Sequence, residues 1–228
     1  MSLKRIDRKY ILTEIGSVFN FDKGILRTIK HMFSRPGASV QEYLHENRSR
    51  LTKPISFVIF CSLLYSLFSH YFPIEGFFNQ FERGYAEALG IEKTTLFNLF
   101  QWTENNYGFA NILLSMFVAP WVRLFFRKSG YNYFEVLVLL LYVMGIYTLI
   151  YAAFNLLEIL SGYAFHYWGV LIGLIYFVWA VAQFYGKSKK RNYVKAALAY
   201  FLGFFLFYFS ISVLGAFIDL ANNPVTKA

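Results

Sequence analysis

The chain has 228 residues and a formal net charge of +9; 57% of its residues are hydrophobic, 21% aromatic and only 15% charged. A soluble domain has about 25% charged residues, so this chain has too few to cover a surface exposed to water. With 5 Pro, 15 Gly and 1 Cys, it is also excluded from the collagen-like, disordered and disulfide-rich classes. We therefore expect an all-α protein that forms a polytopic helical bundle in a membrane.

The first 54 residues are predicted to form a basic segment on the cytoplasmic side of that membrane. Residues 22–33 have the pattern of an amphipathic helix in the headgroup layer, with Ile25, Ile29, Met32 and Phe33 on its apolar face. We expect no cleavable signal peptide, because no cleavage site follows the first basic residues. Seven basic residues are predicted to form a collar that binds lipid or a cytosolic protein partner: Lys23, Arg27, Lys30, Arg35, Arg48, Arg50 and Lys53.

A short second helix is expected next in the chain. Ser39 and Glu42 have the spacing of a capping box, in which each side chain accepts a hydrogen bond from the backbone of the other residue. Pro36 precedes them and is expected to end the first helix. The spacing thus predicts that the second helix begins after Ser39 and continues through Leu44.

Five apolar stretches follow, and each is long enough to cross about 30 Å of hydrocarbon as a helix. They are continuously apolar, whereas the strands of a membrane barrel would alternate apolar and polar residues. Together they make a predicted transmembrane domain at residues 55–218. The five spans are residues 55–72, 109–126, 134–160, 167–185 and 196–218.

Lys and Arg are distributed asymmetrically about these spans. Of the 22 basic residues, 19 lie before the first span, around the connection between the second and third, or between the fourth and fifth. Arg83, Lys93 and Lys227 lie on the other side. Because cytoplasmic loops are basic, we expect a protein of the bacterial inner membrane whose N-terminus is in the cytoplasm and whose C-terminus is on the outer side. Since topology explains the basic residues, no specific nucleic acid partner is expected.

Two segments are predicted to lie outside: a loop at residues 73–108 and a short tail at residues 219–228. The loop is acidic, and its aromatic and aliphatic side chains recur at every fourth position. This spacing predicts an apolar stripe on an interfacial helix. The stripe consists of Phe77, Phe81, Tyr85 and Leu89.

Two sequence blocks resemble a family of bacterial multi-pass membrane proteins catalogued as a domain of unknown function. The first block consists of FDKGILRT at 21–28, RPG at 35–37, EYL at 42–44 and KPISF at 53–57. The second block is YNYFEVLV at 131–138. The resemblance implies a multi-pass architecture and no particular activity. The chain departs from the family because no cysteine pair of a zinc ribbon precedes the first block, and Val136 stands where many members have His. In size and layout the chain is also similar to the membrane accessory proteins of RNA-targeting CRISPR systems.

Charged residues at membrane depth are costly and are therefore functional candidates. Arg123 and Glu135 flank the short connection between the second and third spans. If these spans form a hairpin, the two side chains lie at similar depth. We therefore expect an Arg123–Glu135 ion pair, either at the interface or as part of a gating or proton-relay path.

A second candidate is a polar cluster near the outer end of the spans. Asn155 and Glu158 share one face of the third span, and other polar side chains are expected at the same level. Because the spacing of a metal or catalytic motif is absent, we expect structural hydrogen bonds, with a metal centre, a catalytic centre or a solute path as alternatives. No metal, cofactor or catalytic residue is assigned. The cluster comprises His70, Asn111, Asn155, Glu158 and His166.

Small residues recur four positions apart in the fourth and fifth spans. Gly169 and Gly173 form one pair, and Ala199 and Gly203 form the other. Such pairs allow helix backbones to approach closely, either within one chain or between the subunits of a homo-oligomer.

Three functions remain open from the sequence. The first is a non-enzymatic membrane protein, coupled to lipid or a partner through the basic collar, that acts as an oligomeric effector or accessory in stress or antiviral defence and changes membrane permeability. The second is a transporter or lipid-handling protein. The third is an intramembrane hydrolase that uses Glu158 with His70 or His166.

Overall fold

The computed structural model describes residues 24–71, 87, 94–186 and 188–222 of the chain. All regular elements in these ranges are helices, which confirms the predicted all-α bundle. A 3₁₀ turn at Arg127–Ser129 connects the fifth and sixth helices. The helices are α1 (Ile25–Ser34), α2 (Pro36–His45), α3 (Pro54–Tyr71), α4 (Thr95–Asn105), α5 (Tyr107–Phe125), α6 (Tyr133–Ser161), α7 (His166–Phe184) and α8 (Lys190–Asn222).

Four helices, α5 to α8, are long and apolar enough to cross a membrane. Their bounds agree with four of the predicted spans, although α8 extends further at both ends than residues 196–218. The shorter α3 has 18 residues, which correspond to about 27 Å at 1.5 Å per residue. That α3 is a fifth span stays a prediction.

Helix α6 is the centre of the bundle. It contacts α3, α5 and α7, as well as the two N-terminal helices α1 and α2. Its side chains from Val136 to Thr148 are almost all buried, as expected for a helix that is apolar on every side. Helix α8 packs on α4, α5 and α7 but leaves large apolar side chains such as Phe205 and Phe217 exposed. These side chains fit contact with acyl chains.

Small residues mark the closest helix contacts in the bundle. A Cβ atom added at Gly173 would lie 2.7 Å from the Tyr147 ring, and one added at Gly203 would lie 2.6 Å from the Val118 Cα. Gly169 faces Phe154 in the same way, and Ala199 is fully buried. The predicted helix-packing residues therefore make contacts within one chain, where close packing stabilises helix association in lipid.

The start of α2 corrects one prediction. The helix begins at Pro36, because proline is favourable at the first helical position, where no backbone N–H is needed. Ser39 lies inside the helix, and its hydroxyl donates a hydrogen bond to the His31 carbonyl, 3.3 Å away. The predicted capping box at Ser39 and Glu42 was wrong.

At the other end of the bundle, α4 packs against α8. The Thr94 side chain caps the first turn of α4, and the Asp219 carboxylate accepts a hydrogen bond of 2.8 Å from the Thr95 N–H. Helix α4 is thus one helix within the predicted outer loop. The predicted apolar stripe at residues 77–89 lies outside the described residues.

Candidate functional site

Residues 24–53 form a folded unit, here called the cap, on one end of the bundle. This cap end is where α3 and α6 begin and where α5 and α7 end. Met32 and Val40 of the cap are fully buried, and Tyr43 packs edge-on against Tyr142 of α6 with ring centroids 5.5 Å apart. The predicted amphipathic helix therefore packs against protein through one side. Of its predicted apolar face, Met32 is buried, whereas Phe33 is 46% exposed.

Two tyrosines of the bundle hold the cap through its backbone. The Tyr142 hydroxyl donates to the Thr52 carbonyl, and the Tyr176 hydroxyl donates to the Met32 carbonyl at 3.0 Å. Within the cap, the Thr52 N–H donates to the Thr28 hydroxyl at 2.9 Å. Buried backbone groups require partners, so these bonds fix where α1 and the loop before α3 sit.

Helix α2 is joined to the end of α7 in a similar way. The Gly37 N–H donates to the Gln183 side-chain oxygen at 2.9 Å, and the Gln41 amide donates to the Phe184 carbonyl at 2.7 Å. A Cβ atom at position 37 would lie 2.6 Å from the Gln183 carbonyl carbon. Only glycine allows this approach of two backbones.

An ion network organises the exposed side of the cap. The Glu42 carboxylate binds Arg35 at 3.0 Å and Arg50 at 2.9 Å. Arg35 also donates to the His31 Nδ1 at 3.4 Å. Burial, and then the positive charges of Arg35 and Arg50, lower the pKa of His31, because both disfavour the protonated ring.

The other predicted collar residues occupy different surroundings. Arg27 and Lys30 are exposed on α1, beside the exposed apolar side chains of Leu26 and Phe33. Arg48 and Lys53 are half-buried and have partners. Lys23 lies outside the described residues.

Two clefts open at the cap end, on either side of Tyr131. The first has a volume of about 590 Å³ and lies between α2 and the end of α7, with Arg35 and Gln41 in its wall. The second has a volume of about 440 Å³ and lies at the α5–α6 connection, with Arg123 and Arg127 in its wall. Burial, together with the Glu135 charge, raises the pKa of Tyr131, so its phenol stays protonated near neutral pH.

The predicted Arg123–Glu135 pair is not formed. Glu135 is buried, and its carboxylate accepts from the Asn132 N–H at 2.7 Å while the Asn132 side chain accepts from the Glu135 N–H at 2.9 Å. This capping box forms the start of α6, and the Glu135 carboxylate is bound within it to the Asn132 N–H. Within the described part of the chain, Arg123 has no ion pair.

The predicted outer cluster is only partly brought together. The Glu158 carboxylate accepts from the His166 N–H at 2.9 Å and contacts the His166 Nδ1 at 2.7 Å, which joins the end of α6 to the start of α7. Asn111 instead donates to Thr148 at 2.9 Å, and Thr148 lies about 15 Å from Glu158 along α6 at 1.5 Å per residue. The expectation that Asn111 lies at the level of Glu158 was therefore wrong.

Two atoms of this cluster are buried without a hydrogen-bond partner: the Asn155 Oδ1 and the His166 Nε2. The His70 side chain lies outside the described part. Among the residues described, no three His, Cys, Asp or Glu side chains are grouped so that they could hold a metal ion.

Sequence reasoning missed the side chains that attach the cap. These side chains belong to Tyr142, Tyr176 and Gln183, which lie inside apolar spans. A polar atom within a membrane span requires a hydrogen-bond partner, and this requirement could have indicated them. It also missed a cluster of aromatic rings in which Tyr107 stacks on Tyr151 with centroids 5.6 Å apart. Aromatic residues at helical spacing give no indication of which rings meet.

Comparison with known proteins gives one match. A family model described as "Protein of unknown function (DUF3667)" matches residues 22–66. No curated protein and no solved structure matches the chain. The part of this chain that is similar to that family is thus the cap together with most of α3.

Proposed function

We propose that the protein is a non-enzymatic integral membrane protein whose cap lies on the cytoplasmic surface of a bacterial inner membrane and binds anionic phospholipids there. One observation carries this proposal: α1 presents exposed apolar and basic side chains on one side while its other side is bonded to the bundle. Leu26 is 81% exposed and Phe33 is 46% exposed. A helix face that exposes apolar and basic side chains together is typical of an interfacial helix.

The exposed apolar and basic side chains lie on one face of α1. Leu26, Lys30 and Phe33 are four and three residues apart, so they share one face of the helix. Met32 is buried, and its carbonyl accepts from Tyr176. The centre of the Tyr176 ring also lies 6.0 Å from that of the Phe33 ring, so Phe33 lies at the border between the bundle and the exposed face. Inserting Leu26 and Phe33 between acyl chains would stabilise the bound state by about 1.5–3 kcal/mol for each side chain that becomes fully buried. Attraction of Lys30 and Arg27 to anionic headgroups would add about 1 kcal/mol for each basic residue.

The orientation of the proposal rests on the distribution of Lys and Arg. Because 19 of the 22 basic residues lie on the cap side of the spans, the cap is proposed to be cytoplasmic. With α3 as a fifth span, the C-terminus would be outside. Reporter fusions before Met1 and after Ala228 test this, because two reporters in the same compartment would contradict five passes.

The depth of α1 can be tested directly with a fluorescent label. Cys61, the one cysteine of the chain, is buried, so a bimane label can be directed to L26C, with E46C in the exposed loop after α2 as the matched control. In liposomes with brominated acyl chains, we expect strong quenching at position 26 and weak quenching at position 46. Equal, weak quenching at both positions would show that α1 does not enter the bilayer.

Lipid preference is tested by thermal unfolding in nanodiscs. We expect phosphatidylglycerol to raise the Tm of the full chain above its value in phosphatidylcholine. The double variant R27Q/K30Q should lose most of this difference, whereas K190Q/R191Q, which removes two exposed charges at the start of α8, should keep it. An equal loss of the Tm difference in both variants would show that it depends only on the total charge of the protein. That result would contradict a role of α1.

The narrower roles stay predictions. An oligomeric effector of stress or antiviral defence, like an accessory of RNA-targeting CRISPR systems, would make liposomes that contain the purified protein leak ions. A transporter would move a solute without general leak. An intramembrane hydrolase based on Glu158 would lose turnover in E158Q.

A further inference from the structure

We propose that the cleft at the α5–α6 connection binds the phosphodiester group of one anionic phospholipid through Arg123 and Arg127. The inference rests on the proposed function, because the cleft must face the same leaflet as the cap. It goes further by placing a discrete, stoichiometric site on helices that are not part of the cap.

The first argument is the state of the two guanidinium groups. Arg123 lies in the last turn of α5 and Arg127 begins the 3₁₀ turn, and both are exposed. Neither makes an ion pair or hydrogen bond with any residue that the structure describes. By contrast, Arg35 and Arg50 share the Glu42 carboxylate. Paired guanidinium groups without a carboxylate are suited to the oxygens of a phosphate, which they can bind in a bidentate manner.

The second argument is the shape and polarity of the cleft. Its volume of about 440 Å³ is within the range of small-molecule sites, about 300–1,000 Å³. Pro120 and Leu124 form its wall on the side of the membrane span, and Arg127 and Gly130 lie on the side of the turn. Leu124 is exposed. An apolar wall next to two cations matches the boundary between the headgroup and the acyl chains of a lipid, whereas a free phosphate ion would leave that wall unused.

The third argument concerns the end of α5. The last carbonyls of a helix carry partial negative charge, which would repel a phosphate. Here the Lys195 ammonium group donates to the Phe125 carbonyl at 2.8 Å and lies 5.4 Å from the centre of the Phe126 ring. This third cation offsets the negative end of the helix and adds to the positive charge of Arg123 and Arg127. Among the residues that the structure describes, the one carboxylate that acts on the wall of the cleft, Glu135, is buried and accepts from the Asn132 N–H.

The test is binding of lipid to the full-length protein after delipidation in a neutral detergent. Native mass spectrometry with added phosphatidylglycerol should show one lipid retained per chain, and phosphatidylcholine should not be retained. R123Q/R127Q should weaken retention at least tenfold, and R123K/R127K should weaken it less, because lysine keeps the charge but not the planar fork. Full retention in R123Q/R127Q would overturn the site.

Two further arms separate the alternatives. Millimolar inorganic phosphate should not displace the retained lipid, and displacement would assign the site to free phosphate. K190Q/R191Q, which removes two exposed charges at the start of α8, should retain the lipid. If R27Q/K30Q abolishes the Tm difference between phosphatidylglycerol and phosphatidylcholine while R123Q/R127Q still retains one lipid, the proposed function stands and this site is wrong. If R123Q/R127Q unfolds, R123K/R127K is the deciding variant. Lipid retention below that of the natural chain would support the site, and unchanged retention would contradict it.

Discussion

The Tyr176 hydroxyl, on a membrane helix, donates a hydrogen bond to the Met32 carbonyl in the last turn of α1, 3.0 Å away. The last carbonyls of a helix have no partner within that helix, so this bond completes the end of α1 and attaches it to α7. Loss of the hydroxyl in Y176F leaves a buried carbonyl without its partner, which costs about 1–3 kcal/mol. We expect a lower Tm and faster trypsin cleavage of the cap after Lys30.

Y163F is the control for this prediction, because Tyr163 is exposed at the opposite end of the bundle. Its Tm and cleavage rate should equal those of the natural chain. Unchanged proteolysis in Y176F would mean that the cap is held without this bond.

Gly37 is predicted to tolerate no side chain. A Cβ atom there would lie 2.6 Å from both the Gln183 carbonyl carbon and the Phe184 nitrogen, and backbone atoms cannot move aside as a side chain can. Overpacking of this kind costs about 1–3 kcal/mol, so G37A should unfold at a lower temperature in detergent. G24A is the matched control, because its nearest neighbour would be the Thr52 hydroxyl at 3.4 Å. Equal Tm values for the two variants would show that α2 can separate from α7 without loss.

The stability of the cap should depend on pH through His31. Burial and neighbouring cations lower the pKa of His31 in the folded chain below its unfolded value of about 6.5. Between the two values the unfolded chain binds a proton that the folded chain does not, so the free energy of unfolding falls as the pH decreases through this window. The charged groups around the ring are Arg27, Arg35, Arg50 and Glu42.

The measurement is the Tm between pH 7.5 and pH 5. H31Q should show a smaller decrease than the natural chain, since glutamine does not titrate. H45Q, at the exposed end of α2, should keep the full decrease. A decrease of equal size in all three proteins would assign the pH dependence to other groups.

Glu158 is predicted to stabilise the connection between α6 and α7. Its carboxylate accepts from the backbone N–H of His166 and contacts the ring at 2.7 Å. E158A removes both contacts, and hydrogen bonds to a charged group contribute about 1.5–3 kcal/mol. E158Q retains an oxygen that can accept from the N–H, so its Tm should lie between those of E158A and the natural chain. E46A, which removes an exposed carboxylate, should have no effect, and an equal Tm for all variants would contradict a stabilising role.

The long apolar helices could be predicted because their signal is local. Continuous apolar sequence predicted a helix at residues 134–160, and the structure has α6 at Tyr133–Ser161. Length and hydropathy are enough for this, since a membrane helix satisfies its own backbone.

The contacts of the cap could not be predicted, because they join residues far apart in sequence. Gln41 bonds to Phe184, 143 positions later, and no periodicity within a window can indicate such a pair. The Arg123–Glu135 prediction failed for the opposite reason. It compared depths in the membrane, but a closer backbone partner, the Asn132 N–H, takes the Glu135 carboxylate.

The separation between the cap and its anchors has a consequence for biogenesis. Gly37 leaves the ribosome 146 residues before Gln183, which corresponds to about 7–30 s at ordinary rates of synthesis. During that interval the cap has been synthesised but α7 has not. The cap can therefore dock on the bundle only after α7 has been made. If α1 binds the bilayer as proposed, Leu26 and Phe33 would keep the cap at the membrane surface until α7 is in place.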